Sequence, residues 1–220
     1  MTMVNILIAT SNAHKFQEIE AIMGRDAGLN LVYLDKSYRV EIIEDRETYE
    51  ENAKTKVEGY LKFLDEDQEL KAKLNLDFIV SEDSGLEVEC LGGGPGLFTA
   101  RYAGENASDT ANIEKLLNDM KLKKECAGNR HAKFVCYACL YDIKKNNFEY
   151  FYGELNGLIA GEISGTKGFG YDPVFFIQEF NKTAAQFDSS EKNKISHRAT
   201  AFKQVAEAVS KREQCKSDGE

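Results

Sequence analysis

The sequence of 220 residues predicts a mixed α/β fold with a long central β-sheet and flanking helices. Short apolar runs typical of strands are interspersed irregularly with segments whose apolar residues recur every three or four positions, as on one face of a helix. The two longest apolar segments, residues 132–141 and 147–155, are separated by a short polar turn and are expected to pair as a hairpin. This pair, and the lack of a regular strand–helix–strand rhythm in the sequence, favour a mixed sheet over a parallel one.

In the first third of the chain, strands are predicted at residues 4–9, 29–34 and 40–43. A helix after the first strand is predicted from apolar residues at offsets of three and seven: Phe16, Ile19 and Met23. Thr48 and Glu51 form a capping box, which opens a second helix. The apolar face of that helix consists of Ala53, Val57, Leu61 and Leu64. The highly charged segment 65–73 is expected to be a solvated connection.

In the rest of the chain, further strands are predicted at residues 78–80, 86–91 and 174–177. Residues 82–85 are expected to turn at the end of a strand, and the glycine-rich residues 92–96 to form a loop. One amphipathic helix is predicted from Ile113, Leu116, Leu117 and Met120. The last long helix is predicted from Ile195, Ala199, Phe202, Ala206 and Val209. Residues 211–220 are expected to be a polar tail.

Composition restricts the class of protein. A hydrophobic fraction of 42% and a charged fraction of 30% are those of an ordinary globular protein. The sequence has no apolar run near the ~20 residues that cross a bilayer, and its first residues do not resemble a signal peptide, so a cytoplasmic protein without membrane contact is expected. The net charge of −9 argues against broad nucleic-acid binding, although it permits binding of one small nucleotide.

The chain has five cysteines, and an odd number without a secretory signal favours reduced thiols. Cys136 and Cys139 form a CxxC pattern, which suggests a redox or zinc site. They lie, however, within an apolar and aromatic run that is expected to be a buried strand. Residues three apart on a strand point to opposite faces, so the two thiols cannot share a metal ion and are expected to be core residues.

The most informative segment comprises residues 165–201. In it, Phe169 stands between glycines, which let the backbone approach a flat ligand closely while the ring stacks on it. Lys192 and Arg198 supply cations suited to phosphate groups. Together these features predict a site for a phosphorylated heterocycle, that is, a nucleotide. The alternative is a glycine-rich turn followed by an ordinary basic start of a helix.

Three motifs in order resemble those of the inosine triphosphate pyrophosphatase family, whose members hydrolyse non-standard purine nucleoside triphosphates. They are Ile8–Lys15 followed by Glu18, Ser81–Val88 continuing to Gly104, and the segment 165–201. The resemblance covers residues 6–202 and implies one two-lobed domain, 1–220, with the lobes around an active-site cleft. It also implies Mg²⁺ as cofactor and a homodimer.

The segment Thr10–Lys15 is predicted to lie between a strand and a helix, where unpaired amides of a helix N-terminus favour phosphate. The alternative is an N-cap, Ser11 or Asn12, beside a surface lysine. In the family this segment binds the triphosphate. The matching residues are Thr10, Ser11, Asn12 and Lys15.

A triphosphate hydrolase needs its substrate charge neutralised, and Mg²⁺ bound by one or two carboxylates is the usual solution. The resemblance makes Asp83 both a metal ligand and the proton acceptor for the attacking water. Because such an attack by water needs no covalent intermediate, Ser84 is interpreted as an orienting hydroxyl. It makes Glu41 the second metal ligand, with Glu44 as the fallback. Lys56 follows Asn52 by one helical turn and is expected to face the phosphates, or else to be an exposed helix lysine.

Ser196 is suited to cap the last helix, and His197 and Arg198 follow it. Their donors can bind the carbonyl at purine position 6 of inosine or xanthosine, whereas adenine would leave them unpaired. Guanine also has this carbonyl, so its rejection must arise elsewhere. We therefore expect this part of the chain to bind the substrate through Phe169, Gly170, Tyr171, Asp172, Lys192, His197 and Arg198. Little core packing is expected at this polar helix start.

These residues and motifs predict an enzyme that converts ITP, dITP and XTP to the monophosphate and pyrophosphate, clearing them from the nucleotide pool. One alternative is a related pyrophosphatase with another base preference, such as a Maf-like enzyme acting on modified pyrimidines. The other is a nucleotide-binding module without turnover. Release of pyrophosphate from ITP with and without Mg²⁺ would separate the three.

Overall fold

The computed structural model describes residues 3–24, 28–38, 40 and 42–217. The strands are β1 (Val4–Ile8), β2 (Leu29–Tyr33), β3 (Phe78–Val88), β4 (His131–Asp142), β5 (Asn147–Ile159), β6 (Phe175–Ile177) and β7 (Lys182–Thr183). The helices are α1 (Ala13–Met23), α2 (Tyr49–Glu66), α3 (Gln68–Leu74), α4 (Asp109–Leu122), α5 (Ser189–Ile195) and α6 (His197–Ser217). Short 3-10 turns connect several of these elements.

The strands form one seven-stranded sheet in the order β2-β1-β3-β4-β5-β6-β7. β1 pairs in parallel with both β2 and β3, whereas β6 pairs antiparallel with β5 and with β7. The predicted mixed sheet with flanking helices is therefore confirmed. In the part of the chain that the structure describes, no helix combines the length and the apolar content needed to span a bilayer.

The chain divides into two compact units. The first consists of the described parts of Met1–Asp83, Cys136–Gly153 and Arg198–Glu220, and the second of Ser84–Val135 and Glu154–His197. The chain therefore passes from one unit to the other directly after Asp83 and directly after His197, two of the predicted site residues.

The first unit has two apolar cores, one on each face of its strands. Ile6 and Ile8 of β1 pack with Phe202 of α6, whereas Leu7, between them, packs with Val57 of α2. This alternation follows from the two-residue repeat of a strand. The same rule places Cys136 in one core and Cys139 in the other, both as buried free thiols. The prediction that the CxxC pair is structural is thus confirmed.

The core of the second unit forms around one face of α4. Ile113, Leu116 and Met120 are buried there against Leu86 of β3 and Phe175 of β6. Because these helix residues recur at the predicted spacing, α4 is fixed to the sheet along its length. Its first residue, Asp109, consequently stands on a firmly held element.

Two predicted local structures are wrong. β3 is continuous across residues 82–85, where a turn was expected, because buried partners satisfy its polar side chains; for example, the Ser81 hydroxyl donates to the Ala53 carbonyl. Val40, Ile42 and Ile43 form no strand. The segment 65–73 is largely exposed, as expected of a solvated connection, but it also contains most of α3, which Asp67 caps by accepting from the Leu70 amide at 2.9 Å.

The expectation of reduced thiols throughout is also wrong. Cys90 and Cys126 form a disulfide that closes a segment of 36 residues in the second unit. Cys90 lies in a 3-10 turn after β3, and Cys126 lies in another after α4. The Cα atoms of the two cysteines are 5.1 Å apart. An odd number of cysteines carries no information about such a spatial approach.

Candidate active site

The centre of the site in the first unit is the buried carboxylate of Asp83. The Asn52 side-chain amide donates to Asp83 Oδ2 at 3.1 Å, and Lys56 Nζ donates to Asp83 Oδ1 at 3.2 Å. Asn52 and Lys56 are one turn apart on α2, so a single helix supplies both partners. Ser84, the next residue of β3, is half-buried and belongs to the second unit.

Lys56 is itself buried and contacts a second carboxylate. Its Nζ lies 2.6 Å from Glu44 Oε2 and donates to the Glu82 carbonyl oxygen at 3.0 Å. Burial alone would lower the pKa of the Lys56 ammonium, but the negative charges of Asp83 and Glu44 raise it above its ordinary value. The alternative of an exposed helix lysine is therefore excluded.

The donor set around Asp83 fits a divalent cation. Asp83 and Glu44 both contact one ammonium group, so two carboxylates approach the same positive charge. Hard oxygen ligands of this kind, completed by substrate phosphates, are what Mg²⁺ prefers. Glu41, the predicted second ligand, lies outside the described residues. Within the described part of the chain, no three His, Cys, Asp or Glu side chains form a protein-only metal site.

Glu82 connects the predicted phosphate-binding and base-binding residues of the first unit. Its carboxylate is buried, 2.6 Å from Lys15 Nζ and 3.6 Å from Arg198 Nη2. Burial alone would raise the pKa of Glu82, but the charges of Lys15, Arg198 and Lys56 together hold it well below its usual range. Burial and the nearby Glu82 charge raise the pKa of the Cys136 thiol, which remains protonated beside the carboxylate.

Arg198 and His197 are more deeply packed than the sequence indicated. Arg198 is 2% exposed, and its Nη1 lies 2.5 Å from Glu18 Oε2 as well as near Glu82. The His197 ring is buried and stacks on Phe134, with ring centroids 4.9 Å apart. The expectation of little core packing at this helix start is therefore wrong, because the first residues of α6 lie inside the protein.

The segment before α1 adopts the expected strand-to-helix connection. Asn12 is the N-cap, and its Oδ1 accepts from the amides of His14 at 3.0 Å and Lys15 at 3.2 Å. Thr10 Oγ1 in turn accepts from the Asn12 amide at 3.2 Å. Both roles considered for this segment remain open, because a capped helix start can still bind an anion. Lys15, however, is an ion-paired rather than a surface lysine.

A pocket of about 690 Å³ opens beside this segment in the first unit. Its lining residues are Ser11, Asn12, Ala13, His14, Tyr33, Asp35 and Ser37. The volume is in the range typical of small-ligand sites. Asp35 adds a negative charge to the lining, so an anionic ligand in this pocket would need a compensating cation.

In the second unit, the predicted base-binding residues form a compact loop around Asp172. Asp172 Oδ2 accepts from the Phe169 amide at 3.0 Å and from Lys192 Nζ at 2.5 Å. The same ammonium lies 4.9 Å from the centroid of the Phe169 ring, in the geometry of a cation–π contact. Only glycine fits at position 168, because its φ is +77° and a Cβ would lie 2.0 Å from Asp172 Oδ2.

Two contacts of this loop could not be predicted from the motifs. Gly170 donates its amide to Asp109 Oδ2 at 2.6 Å, and the Tyr171 hydroxyl donates to the Thr99 carbonyl at 3.0 Å. The partners are 61 and 72 residues apart in sequence, and nothing in the sequence indicates their proximity. Tyr171 is buried in the core of its unit, which makes it a support for the loop more than a stacking surface.

The structure thus brings the predicted residues together in two groups. Lys15, Lys56, Asp83 and Arg198 lie in one charged cluster of the first unit, joined through Glu82. Phe169, Asp172 and Lys192 lie together in the second. Glu82, which the sequence indicated only as a support for neighbouring Asp83, and Glu18, which was given no role, are both members of the first group.

Comparison with known proteins gives a consistent result. Residues 6–208 match the family model of the Ham1 family. A dITP/XTP pyrophosphatase of Clostridium perfringens is 40% identical over 205 residues, which is 92% of this chain and 96% of the relative. The dITP/XTP pyrophosphatase of Bacillus subtilis is 39% identical over 209 residues, or 94% and 98% of the two chains.

Solved structures agree with this result. A HAM1 protein from Coxiella burnetii superposes with a TM-score of 0.80 at 31% identity, covering 95% of this chain and 100% of that one. The Ham1 protein of Staphylococcus aureus gives a TM-score of 0.75 at 35% identity, over 94% and 98% of the two chains. Sequence, fold and the order of the motifs all coincide, and the chain therefore belongs to the Ham1 family.

Proposed function

We propose that this protein is a nucleoside triphosphate pyrophosphatase that converts ITP, dITP and XTP to the monophosphate and pyrophosphate. Family membership supports this, since the related enzymes of C. perfringens and B. subtilis are named dITP/XTP pyrophosphatases. The observation that carries the proposal is the buried Lys56 ammonium between Asp83 and Glu44. A cation and two acids at one point can bind a phosphate chain and activate a water molecule.

In this mechanism Asp83 accepts the proton of the water that attacks the α-phosphorus. The bond from that phosphorus to the bridging oxygen breaks, and pyrophosphate leaves. Asn52 and Lys56 hold the carboxylate in place through its two oxygens. The reaction needs no covalent intermediate, so Ser84 serves as an orienting hydroxyl. Mg²⁺, held by Asp83 and Glu44 or Glu41, would neutralise charge on the triphosphate when bound.

The remaining predicted residues divide between the two ends of the substrate. Lys15 and Lys56, together with Thr10, Ser11 and Asn12 at the start of α1, serve the phosphates. For Lys15 this requires the ammonium to share its charge between Glu82 and the substrate.

At the other end of the substrate, Phe169 stacks on the purine, and Lys192 and Asp172 hold its ring in place. His197 and Arg198 supply donors for the carbonyl at position 6. These donors are unsatisfied by adenine, which accounts for the preference over ATP.

Pyrophosphate release from ITP, XTP, ATP and a modified pyrimidine triphosphate, with and without Mg²⁺, tests the function. We expect rapid release from ITP and XTP, slow release from ATP, and loss of turnover when Mg²⁺ is removed with a chelator. Equal rates for a modified pyrimidine triphosphate would support the Maf-like alternative. Tight ITP binding without release of pyrophosphate would identify a binding module and contradict the proposal.

We also propose that the protein acts in the cytoplasm as a homodimer. We further propose that it does not bind nucleic acid, since its net charge of −9 disfavours contact with phosphate backbones. Light scattering during size-exclusion chromatography should give twice the chain mass of 24.7 kDa. A mass of one chain at micromolar concentration would contradict the dimer without affecting the proposed chemistry.

A further inference from the structure

Asp109 lies outside every motif used above, yet its carboxylate holds the backbone of the loop 168–172. Asp109 Oδ2 accepts from the Gly170 amide at 2.6 Å. Asp109 is the first residue of α4, whose Ile113, Leu116 and Met120 are buried in the core of the same unit. The acceptor is therefore mounted on a rigid element.

This contact has a specific geometric effect on Phe169. The Gly170 amide belongs to the peptide plane that follows the Cα of Phe169, and the Phe169 amide belongs to the plane that precedes it. Asp109 holds the first of these groups and Asp172 holds the second. Two carboxylates thus fix both peptide planes next to Phe169, and with them the direction in which its side chain leaves the backbone.

The other supports of the loop hold the peptide between Phe169 and Gly170 less tightly than Asp109 does. Lys192 contacts the ring face and Asp172, and Tyr171 anchors the far side of the loop through Thr99. Gly170 has a φ of +60°, in the left-handed region where a glycine has many alternative conformations. The Phe169 carbonyl, in the same peptide, accepts from the Asp172 amide at 3.3 Å, which is longer than an ordinary hydrogen bond of this kind. Without the Asp109 acceptor, the peptide between Phe169 and Gly170 loses its shorter contact and keeps this weaker one, and its orientation is less well defined while the rest of the loop stays attached.

We infer that Asp109 is a positioning residue for substrate specificity, which orients Phe169 for stacking on the purine base without touching the substrate. This inference rests on the proposed function. It predicts that loss of Asp109 weakens recognition of the base and leaves recognition of the phosphate chain intact.

The first test compares Asp109→Ala with Asp109→Asn, since asparagine keeps an acceptor oxygen in the same place. For the alanine variant we expect the KM for ITP to rise about five- to tenfold, as a partial loss of stacking would give. The kcat should stay within about twofold, because Asp83 and Lys56 are untouched. Inhibition by inorganic triphosphate, which has no base, should be unchanged, and the asparagine variant should behave like the wild type.

Asp119→Ala is the matched control. Asp119 lies on the same helix, but its carboxylate accepts from Lys115 and Tyr102, so its loss should alter stability more than base recognition. An unchanged KM in Asp109→Ala, an equal loss for ITP and inorganic triphosphate, or failure of Asp109→Asn to restore the KM would each overturn the inference. Absence of ITP turnover by the wild type would instead contradict the proposed function.

A second test does not depend on turnover. The chain has no tryptophan, so Phe169→Trp introduces a single tryptophan, whose fluorescence can be excited apart from that of the tyrosines, at the position in question. Adding Asp109→Ala in this background should increase quenching of the fluorescence by acrylamide, and adding Asp109→Asn should not. Identical quenching in all three proteins would overturn the positioning role even if the enzyme proved inactive on ITP.

Discussion

At the scale of single residues, Asp83 is distinguished by having both carboxylate oxygens held by side chains of one helix. Asp83→Asn keeps the shape but removes the charge needed to accept a proton. We expect the rate of ITP hydrolysis to fall about 10²-fold or more, the contribution of a positioned general base. Pyrophosphate release at saturating ITP measures this, and circular dichroism checks the fold.

Glu44→Gln is the companion variant, since it alters the second acid at Lys56 but not the proton acceptor. Raising the Mg²⁺ concentration should restore the rate of ITP hydrolysis by Glu44→Gln, but it should not restore the rate of Asp83→Asn. A folded Asp83→Asn enzyme retaining more than about a tenth of the wild-type rate would exclude the general-base role.

Arg198 gives a prediction about stability that its place in the sequence did not suggest. Its guanidinium is buried between Glu18 and Glu82, so Arg198→Ala leaves the buried Glu82 carboxylate and the half-buried Glu18 carboxylate with fewer partners. Breaking a buried pair in this way costs about 3–5 kcal/mol of unfolding free energy. Urea denaturation of the variant is the measurement, and a loss below about 1 kcal/mol, as for a surface ion pair, would contradict this view.

His197 gives the cleaner test of base recognition. Its side chain carries no permanent charge, so its removal does not leave a buried carboxylate without its ion-pair partner. If its ring donates to the purine carbonyl, His197→Ala should lower kcat/KM for ITP about ten- to a hundredfold. The ratio of kcat/KM for ITP to kcat/KM for ATP should decrease at the same time. Equal losses for the two nucleotides would show that His197 supports the fold, through its stacking on Phe134, and not the choice of base.

At the scale of elements, α2 determines the geometry around Asp83, because it carries both Asn52 and Lys56. Thr48 caps this helix by accepting from the Glu51 amide at 3.1 Å. Thr48→Ala should therefore lower the free energy of unfolding by about 1 kcal/mol, while Thr48→Ser should restore it. If chemical denaturation showed the same loss for serine as for alanine, the hydroxyl would not be the stabilising group.

Helices with a regular apolar pattern were predicted well from the sequence, whereas segments rich in buried polar residues were predicted poorly. α2 and α4 follow from apolar spacing and caps, which are local signals. The prediction wrongly placed a turn at residues 82–85, within β3, because two acids and a glycine are typical of a turn. In the folded protein Lys56 and Asn52 bind the Asp83 carboxylate, so this segment can stay in a buried strand. Burial of charge with a distant partner is a tertiary effect, and local patterns do not contain it.

At the scale of the whole molecule, the same limit applies to the site. Motifs in order predicted the family and most of the charged cluster. Partners such as Asp109 and Gly170, 61 residues apart, come together only in the folded chain. For the same reason Cys90 and Cys126 were expected to be reduced, since five scattered cysteines do not reveal which pair will meet.

The disulfide should contribute substantially to stability. Closing a segment of 36 residues restricts the unfolded chain by about 3–4 kcal/mol in the chain-entropy view. We expect reduction, or the double change Cys90→Ala and Cys126→Ala, to lower the melting temperature. The double variant should also melt at the same temperature with and without reductant. A wild-type melting temperature that reductant does not change would indicate that the bond is dispensable.

The way the first unit is assembled bears on how the protein is made. Ile6 and Ile8, near the start of the chain, share a core with Phe202, Val205 and Val209 of the last helix. At about 5–20 residues per second, translation separates the two parts by roughly 10–40 s. During that time the apolar face of β1 lacks the cover that α6 later provides, and we expect chaperones that bind exposed apolar segments to protect it.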